Sequence, residues 1–225
     1  MKGTHPSVLY PCEVYPSRCT DELFQKVVNI VECAHTLKKH GALEHIANRN
    51  SNVPQPHPML TWPGEHYYLL MAVAQQLLWN SSTLMLDIGT QHGHSALSMK
   101  EGLRVAEVTT FDVVSHHHMS DSILREDDHI VQHTDNLATK AGADKHADLL
   151  KRADLILVDV SHDCFTEHNM LQNFKRIGLK PGCLLFFDDI RLDPLHEFWN
   201  VDVDLPKMDL TSFGHWSGTG VALWE

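Results

Sequence analysis

The run Leu84-Met85-Leu86-Asp87-Ile88-Gly89-Thr90-Gln91-His92-Gly93-His94-Ser95 decides the fold. Apolar residues lead into an acid and a glycine-punctuated turn, and an apolar-periodic segment begins at Ala96. This pattern predicts a strand, a loop and a helix whose N-terminus faces the loop, an arrangement suited to cradling a nucleotide. Gly89 and Gly93 permit backbone conformations and a close ligand approach that a Cβ would obstruct. The spacing D-x-G-x-x-x-G departs from the G-x-G-x-x-G of dinucleotide enzymes, because Gln91 holds the middle position and no glycine follows Gly93 at the required offset. Taken alone, a strand-turn-helix that binds nothing would look similar.

At 225 residues and 43% hydrophobic, the chain can form one domain with a substantial core, with room for a helical extension. A net charge of -11, with no lysine- or arginine-rich run, argues against nucleic acid and anionic lipid as partners and fits a small or neutral one. No apolar stretch approaches the ~20 residues of a membrane span, and proline and acid interrupt Met1 to Pro16 where a signal peptide needs an apolar centre. A cytoplasmic location is expected. The five cysteines show no C-x-x-C pairing and read as reduced thiols. Of the 18 histidines, His116-His117-His118 falls in a polar segment and reads as a solvated cluster rather than a metal site.

Outward from the glycine loop, the chain divides into residues 1–63, an N-terminal helical extension and proline-rich loop, and residues 64–225, the main domain. Helical periodicity runs from Asp21 to Ala47, with Leu23, Val27, Ile30, Val31 and Ala34 on one face. Asn48 to Pro63 carries Pro54, Pro56, Pro58 and Pro63 and reads as a long loop, either a lid with Trp62 as an apolar wall or an inert linker. Strands are then expected at Thr83–Ile88, Glu107–Val113, His129–His133, Ala153–Val160 and Cys183–Phe187. Helices are expected between them at Ser95–Leu103, Ser120–Arg125, Asn136–Leu150 and Phe165–Ile177, with another at Glu65–Leu78 before the first strand. This βαβ rhythm describes a parallel sheet covered by helices on both faces. After a short helix near Pro194–Trp199, the runs Lys207–Phe213 and Thr219–Trp224 are close enough to form a hairpin, which predicts an antiparallel pair at the C-terminus.

In an open parallel sheet, ligands sit beyond the carboxyl ends of the strands. Here an acid closes nearly every apolar run: Asp87, Asp112, Asp135, Asp159, and Asp188 with Asp189. Asp112 lies about twenty residues past the glycine loop, where a carboxylate can accept both ribose hydroxyls, and Asp135 can accept from an adenine amino group. Each acid alone could equally be a solvated strand end. Asp159, Asp188 and Asp189 fall on strands expected to be neighbours, and crowded carboxylates need a proton or a cation. All-oxygen ligation suits a hard ion such as Mg²⁺. His162, three residues past Asp159, is either a general base for a metal-bound hydroxyl or a structural histidine in a turn.

D-I-G-T-x-x-G-x-S at Asp87–Ser95, V-D-V-S-H at Val158–His162, P-G-C-L-L-F-F-D-D-I at Pro181–Ile190 and G-T-G-V-A-L-W at Gly218–Trp224 together resemble the class I S-adenosylmethionine-dependent methyltransferases, from about Trp62 to the end. The paired acids and the D-x-x-H are similar to the metal-dependent O-methyltransferases, especially those acting on natural-product sugars and other hydroxyl acceptors. The resemblance implies a Rossmann-like α/β fold with seven strands, the last inserted antiparallel. It implies that Asp87, Gly89, Thr90, Gly93 and Ser95 line the methionine and ribose end of the cofactor, with Asp112 at the ribose and Asp135 at the adenine. Asp159 is shared between cofactor and metal, Asp188 and Asp189 complete the metal site, and His162 matches the family's general base. His94 stands where relatives often carry an aromatic, and Val160 replaces a common glycine. Asp189 and His162 replace the amide and lysine of catechol-type relatives and point away from that substrate class.

The expected reaction is in-line transfer of a methyl group from S-adenosylmethionine to the hydroxyl of a small molecule, with Mg²⁺ assisting and His162 taking the proton. A non-catalytic nucleoside-binding or assembly protein on the same fold is the alternative. A nicotinamide-dependent oxidoreductase is disfavoured by the glycine spacing. Homo-oligomerisation through the helix of Asp21 to Ala47 is a further expectation.

Overall fold

The computed structural model describes residues 19–49, 59–60, 66–76, 82–115, 122–214 and 216–225. Its centre is a seven-stranded sheet in the order β3-β2-β1-β4-β5-β7-β6. The strands are β1 (Leu84–Ile88), β2 (Glu107–Asp112), β3 (Ile130–Thr134), β4 (Leu155–Val158), β5 (Leu184–Asp188), β6 (Lys207–Asp209) and β7 (Thr219–Leu223). Strands β1 to β5 pair in parallel, while β7 runs antiparallel to both of its neighbours. The last strand is therefore the reversed one, inserted between β5 and β6 as the terminal hairpin predicted.

Side chains alternate across the central strands, so each strand feeds two cores. Leu84, Leu86 and Ile88 of β1 join Phe111, Ile156, Val158 and Phe187 in one buried cluster. Met85 joins Val108, Leu157, Phe186 and Val221 in the other. Helices α1 (Asp21–Lys39), α2 (Glu44–Ala47), α3 (His66–Gln76) and α4 (His94–Gly102) contribute buried residues to the Met85 cluster. Helices α5 (Lys140–Lys145), α6 (Ala147–Arg152), α7 (Phe165–Ile177) and α8 (Asp193–Glu197) serve the Leu84 cluster.

Four elements differ from the sequence expectation, each for a local reason. The helix expected over 21–47 breaks after Lys39, where the Ala42 N–H turns back to the Leu37 carbonyl at 3.1 Å, and it resumes as α2. No helix forms over 122–125, and residues 120–121 lie outside the described residues. Instead, a 3₁₀ turn at Glu126–Asp128 follows, because the Asp128 carboxylate accepts from the Arg125 N–H (2.8 Å) and from Arg49 (2.7 Å). The helix expected over 136–150 starts at Thr139, whose hydroxyl accepts from the Gly142 N–H (3.1 Å), and divides at His146 into α5 and α6. The strand expected over 207–213 stops at Asp209, whose carboxylate accepts from the Thr211 N–H (2.8 Å) and so converts the chain to a turn. Most of the proline-rich loop, including Trp62, lies outside the described residues. Of it, Met59 is buried in the Met85 cluster.

Candidate active site

Beyond the carboxyl ends of β1, β2 and β4 lies a cavity of about 500 Å³ whose lining includes Gly89, Gln91, Asp112, Asp135, Asp159 and His162. Gly89 adopts φ 113°, and a Cβ there would fall 1.7 Å from the Asp159 carbonyl oxygen. The loop after β1 thus closes onto the end of β4 only because residue 89 has no side chain. Gly93 (φ 86°) starts α4 in the left-handed region, with Leu124 where its Cβ would be. The loop is tied to β2 at both ends. The Gly89 N–H donates to the Phe111 carbonyl (2.8 Å), and the Gln91 N–H donates to Asp112 Oδ2 (3.1 Å).

Asp112, Asp135 and Asp159, expected on one rim, do share this cavity with Gly89. Asp87, Thr90, Gly93 and Ser95 are not among its lining residues. Asp87 is the fourth residue of β1, on the Met85 side of the sheet, and is fully buried. Its Oδ2 accepts from Thr110 Oγ1 (2.7 Å), and Thr110 in turn shares a 2.6 Å hydrogen bond with Thr90. Burial raises the Asp87 pKa to about 7 against the hydrogen bonds from Thr110 and Ser95, with Asp159 and Asp112 adding repulsion. These residues therefore form a polar layer beneath the loop.

His162 occupies the junction between the cavity and the paired acids. Its Nε2 lies 3.0 Å from Asp159 Oδ1, and its Nδ1 lies 3.2 Å from Asp189 Oδ2. His162 (φ 55°), Cys164 (φ 66°) and Asp189 (φ 58°) all take left-handed conformations that non-glycine residues seldom adopt. Hydrogen bonds hold them there. The His162 N–H donates to Glu167 Oε1 (2.8 Å) from the first turn of α7, and Ser217 Oγ bonds Asp189 Oδ1. Burial alone would lower the pKa of His162. The hydrogen bond to Asp159, with the charges of Asp189, Asp159 and Asp188, overcomes this and raises it to about 9. The imidazole is thus a cation at neutral pH, neutralising part of the carboxylate cluster. Asp188 and Asp189 are each 8% exposed, and the oxygen donors match a hard cation in kind. As the side chains stand, Asp159, Asp188 and Asp189 do not form a mutual ligand set within 4.8 Å, and the His162 ring lies between Asp159 and Asp189.

The sequence reading passed over Tyr67, Thr110, Phe111 and Glu167. Tyr67 near the start of α3 keeps its phenol proton: burial raises its pKa, and so do the neighbouring Asp159, Asp188 and Asp87. Its ring meets His94 edge-on, with centroids 5.7 Å apart. An aromatic one helix earlier thus borders His94, the position where relatives often carry their own aromatic. Nothing in the spacing of Tyr67 signals this, because α3 reaches the site only through packing.

Residues 86–190, from within β1 to just past β5, match the model of a family described as a methyltransferase domain. No curated protein matches the chain in sequence. Among solved structures, an SAH-bound methyltransferase from Podospora anserina is 17% identical over 96% of this chain and 100% of that one, with a TM-score of 0.55. A putative caffeoyl-CoA O-methyltransferase from Staphylococcus aureus is 14% identical over 90% of this chain and 100% of that one, with a TM-score of 0.53. The MycE methyltransferase from the mycinamycin biosynthetic pathway, in complex with Mg and SAH, matches at 18% identity over 48% of this chain and a TM-score of 0.40. The chain spans only 27% of the length of that protein. Residues 86–190 are thus similar to a methyltransferase domain, and the seven-stranded sheet shares the fold of the Podospora anserina and Staphylococcus aureus structures. Among the described residues, no helix is long and apolar enough to cross a membrane.

Proposed function

We propose that the protein transfers the methyl group of S-adenosylmethionine to a hydroxyl of a small molecule, a sugar or similar natural-product acceptor, with His162 as the general base. The observation that carries this reading is the placement of His162 on the wall of the cavity that Gly89 and Asp112 also line, bracketed by Asp159 and Asp189. In this reading Asp112 accepts the ribose hydroxyls and Asp135 the adenine amino group. Asp87, Thr90, Gly93 and Ser95 act from beneath, fixing the loop that meets the ribose and methionine end. Transfer requires the acceptor oxygen about 3 Å from the methyl carbon and in line with the sulfur. His162 takes the hydroxyl proton, which requires its neutral form. Asp159, Asp188 and Asp189 would hold a divalent cation, Mg²⁺ by donor chemistry, which when bound would polarise the acceptor oxygen.

The test is calorimetric titration with S-adenosylmethionine, followed by transfer assays on a panel of sugars and other hydroxyl acceptors. Wild type should bind the cofactor saturably, and Asp112→Ala should weaken binding by about tenfold or more, the scale of a lost charge-assisted hydrogen bond. His162→Gln should keep cofactor affinity and lose at least about a hundredfold in turnover. Chelation by EDTA should abolish turnover and Mg²⁺ should restore it. Cofactor binding without turnover on any hydroxyl acceptor would favour a non-catalytic binding role.

A further inference from the structure

A second cluster of ligating side chains stands around Asp135, which lines the same cavity as His162. His133 on β3 and Asp135 just beyond it are two residues apart along an extended chain, so they share one face of the sheet. His146, at the junction of α5 and α6, packs down on them and places Nε2 2.8 Å from Asp135 Oδ2. Among the described residues, His133, Asp135 and His146 form the set of three ligating side chains whose donor atoms all lie within 4.8 Å of one another. The buried Phe111 ring fixes both imidazoles. It stacks on His133 with centroids 5.2 Å apart and meets His146 edge-on at 4.9 Å. The two imidazoles are themselves only 4.6 Å apart between centroids.

We infer that His133, Asp135 and His146 bind a divalent transition-metal ion of the zinc type at the adenine end of the cavity, in competition with the nucleoside. Two imidazoles and one carboxylate suit zinc and its neighbours, whereas the oxygen-only acids around His162 suit Mg²⁺. Ligand atoms around tetrahedral zinc lie about 3.3–3.5 Å apart, given bonds of ~2.0–2.1 Å, so the cluster needs only side-chain adjustment to close. Asp135 also lines the cavity, which puts the cluster at its wall. Lys145 opposes the metal: its Nζ bonds both Asp135 oxygens, at 2.8 and 3.1 Å, and occupies the carboxylate as a competing cation. The competition clause rests on the proposed role of Asp135 toward adenine, but the metal site does not.

The experiment uses the full chain with His116, His117 and His118 changed to Gln, which removes the histidine run as a source of adventitious binding. Zn²⁺ is titrated against a chromophoric chelator in the presence of millimolar Mg²⁺. One equivalent should bind, and His133→Gln or His146→Gln should weaken it by at least about tenfold. Lys145→Met should tighten it several-fold, and Asp188→Asn should leave it unchanged. His133 is only half-buried, so His133→Gln and Lys145→Met decide the matter if His146→Gln does not fold. Zinc affinity unaffected by both His133→Gln and Lys145→Met would overturn the site, as would its loss in Asp188→Asn. S-adenosylhomocysteine should weaken zinc binding. If it does not, while His133→Gln still abolishes zinc binding, the metal site stands and the assignment of Asp135 to adenine fails.

Discussion

At the scale of single residues, the chemistry depends on charges forced together. The three acids around His162 hold its pKa at about 9, so the proposed general-base role would require the imidazole first to lose a proton. In metal-free protein, NMR titration of the His162 ring should give a midpoint near 9, and Asp159→Asn should lower it by a unit or more, since it removes both a hydrogen bond and a charge. An unshifted midpoint in the variant would rule out Asp159 as the main cause. Asp87 presents the inverse case. Its folded pKa of about 7 lies above the usual carboxylate value, so the folded state binds the proton more tightly than the unfolded chain. Its contribution to stability is therefore present at low pH and is lost as pH rises from the unfolded value near 4 to about 7. Asp87→Asn keeps an acceptor for Thr110 and removes the titration. The melting temperature of the variant relative to wild type should rise between pH 4 and 7, by roughly ten degrees, and level off above. The sequence marked Asp87, Asp112, Asp135 and Asp159 equally as strand-end acids. Register separates the buried Asp87 from the cavity-lining Asp112 and Asp159: Asp87 pairs with Thr110 and Leu157, so both of those acids lie two positions further toward the carboxyl ends of the strands.

At the scale of elements, the glycine loop closes onto the end of β4 and forms part of the cavity wall. Gly89→Ala should be the severest single change in the loop, because its Cβ meets the Asp159 backbone carbonyl at a φ that L-residues avoid. A loss of about 2–4 kcal/mol in denaturant unfolding, with cofactor binding abolished, is expected. Gly93→Ala meets only the flexible Leu124 side chain and should cost less. Equal costs would mean that the β1–β4 contact is not what demands glycine. The glycine spacing made this loop legible before the structure, because such a turn tolerates few alternatives. The turns at Asp128, Thr139 and Asp209 were not. In each, a short polar side chain captures a backbone N–H and ends or divides an element that periodicity alone would have continued.

At the scale of the whole molecule, α1 lays Leu23, Val27, Ile30 and Ala34 into the same core as α3, β1 and β4. The apolar face of α1 is therefore buried within the chain, while Phe24, 53% exposed, looks outward. Ile30→Ala should cost about 2–4 kcal/mol in denaturant unfolding and Phe24→Ala under about 0.5 kcal/mol. A change in the mass measured by light scattering in Phe24→Ala would support the expected homo-oligomerisation through α1. By itself the sequence determined the strand–loop–helix opening, the succession of parallel strands, the reversed last strand and the acids at the strand ends. Those features rest on local periodicity, glycine spacing and short connections, which leave the chain little choice. The tertiary structure alone decided which acids face the cavity, that Phe111 borders it, that Tyr67 meets His94, that His162 lies between Asp159 and Asp189, and that His133, Asp135 and His146 converge. Such meetings join residues far apart in the chain, and only packing on the two faces of the sheet fixes their distances.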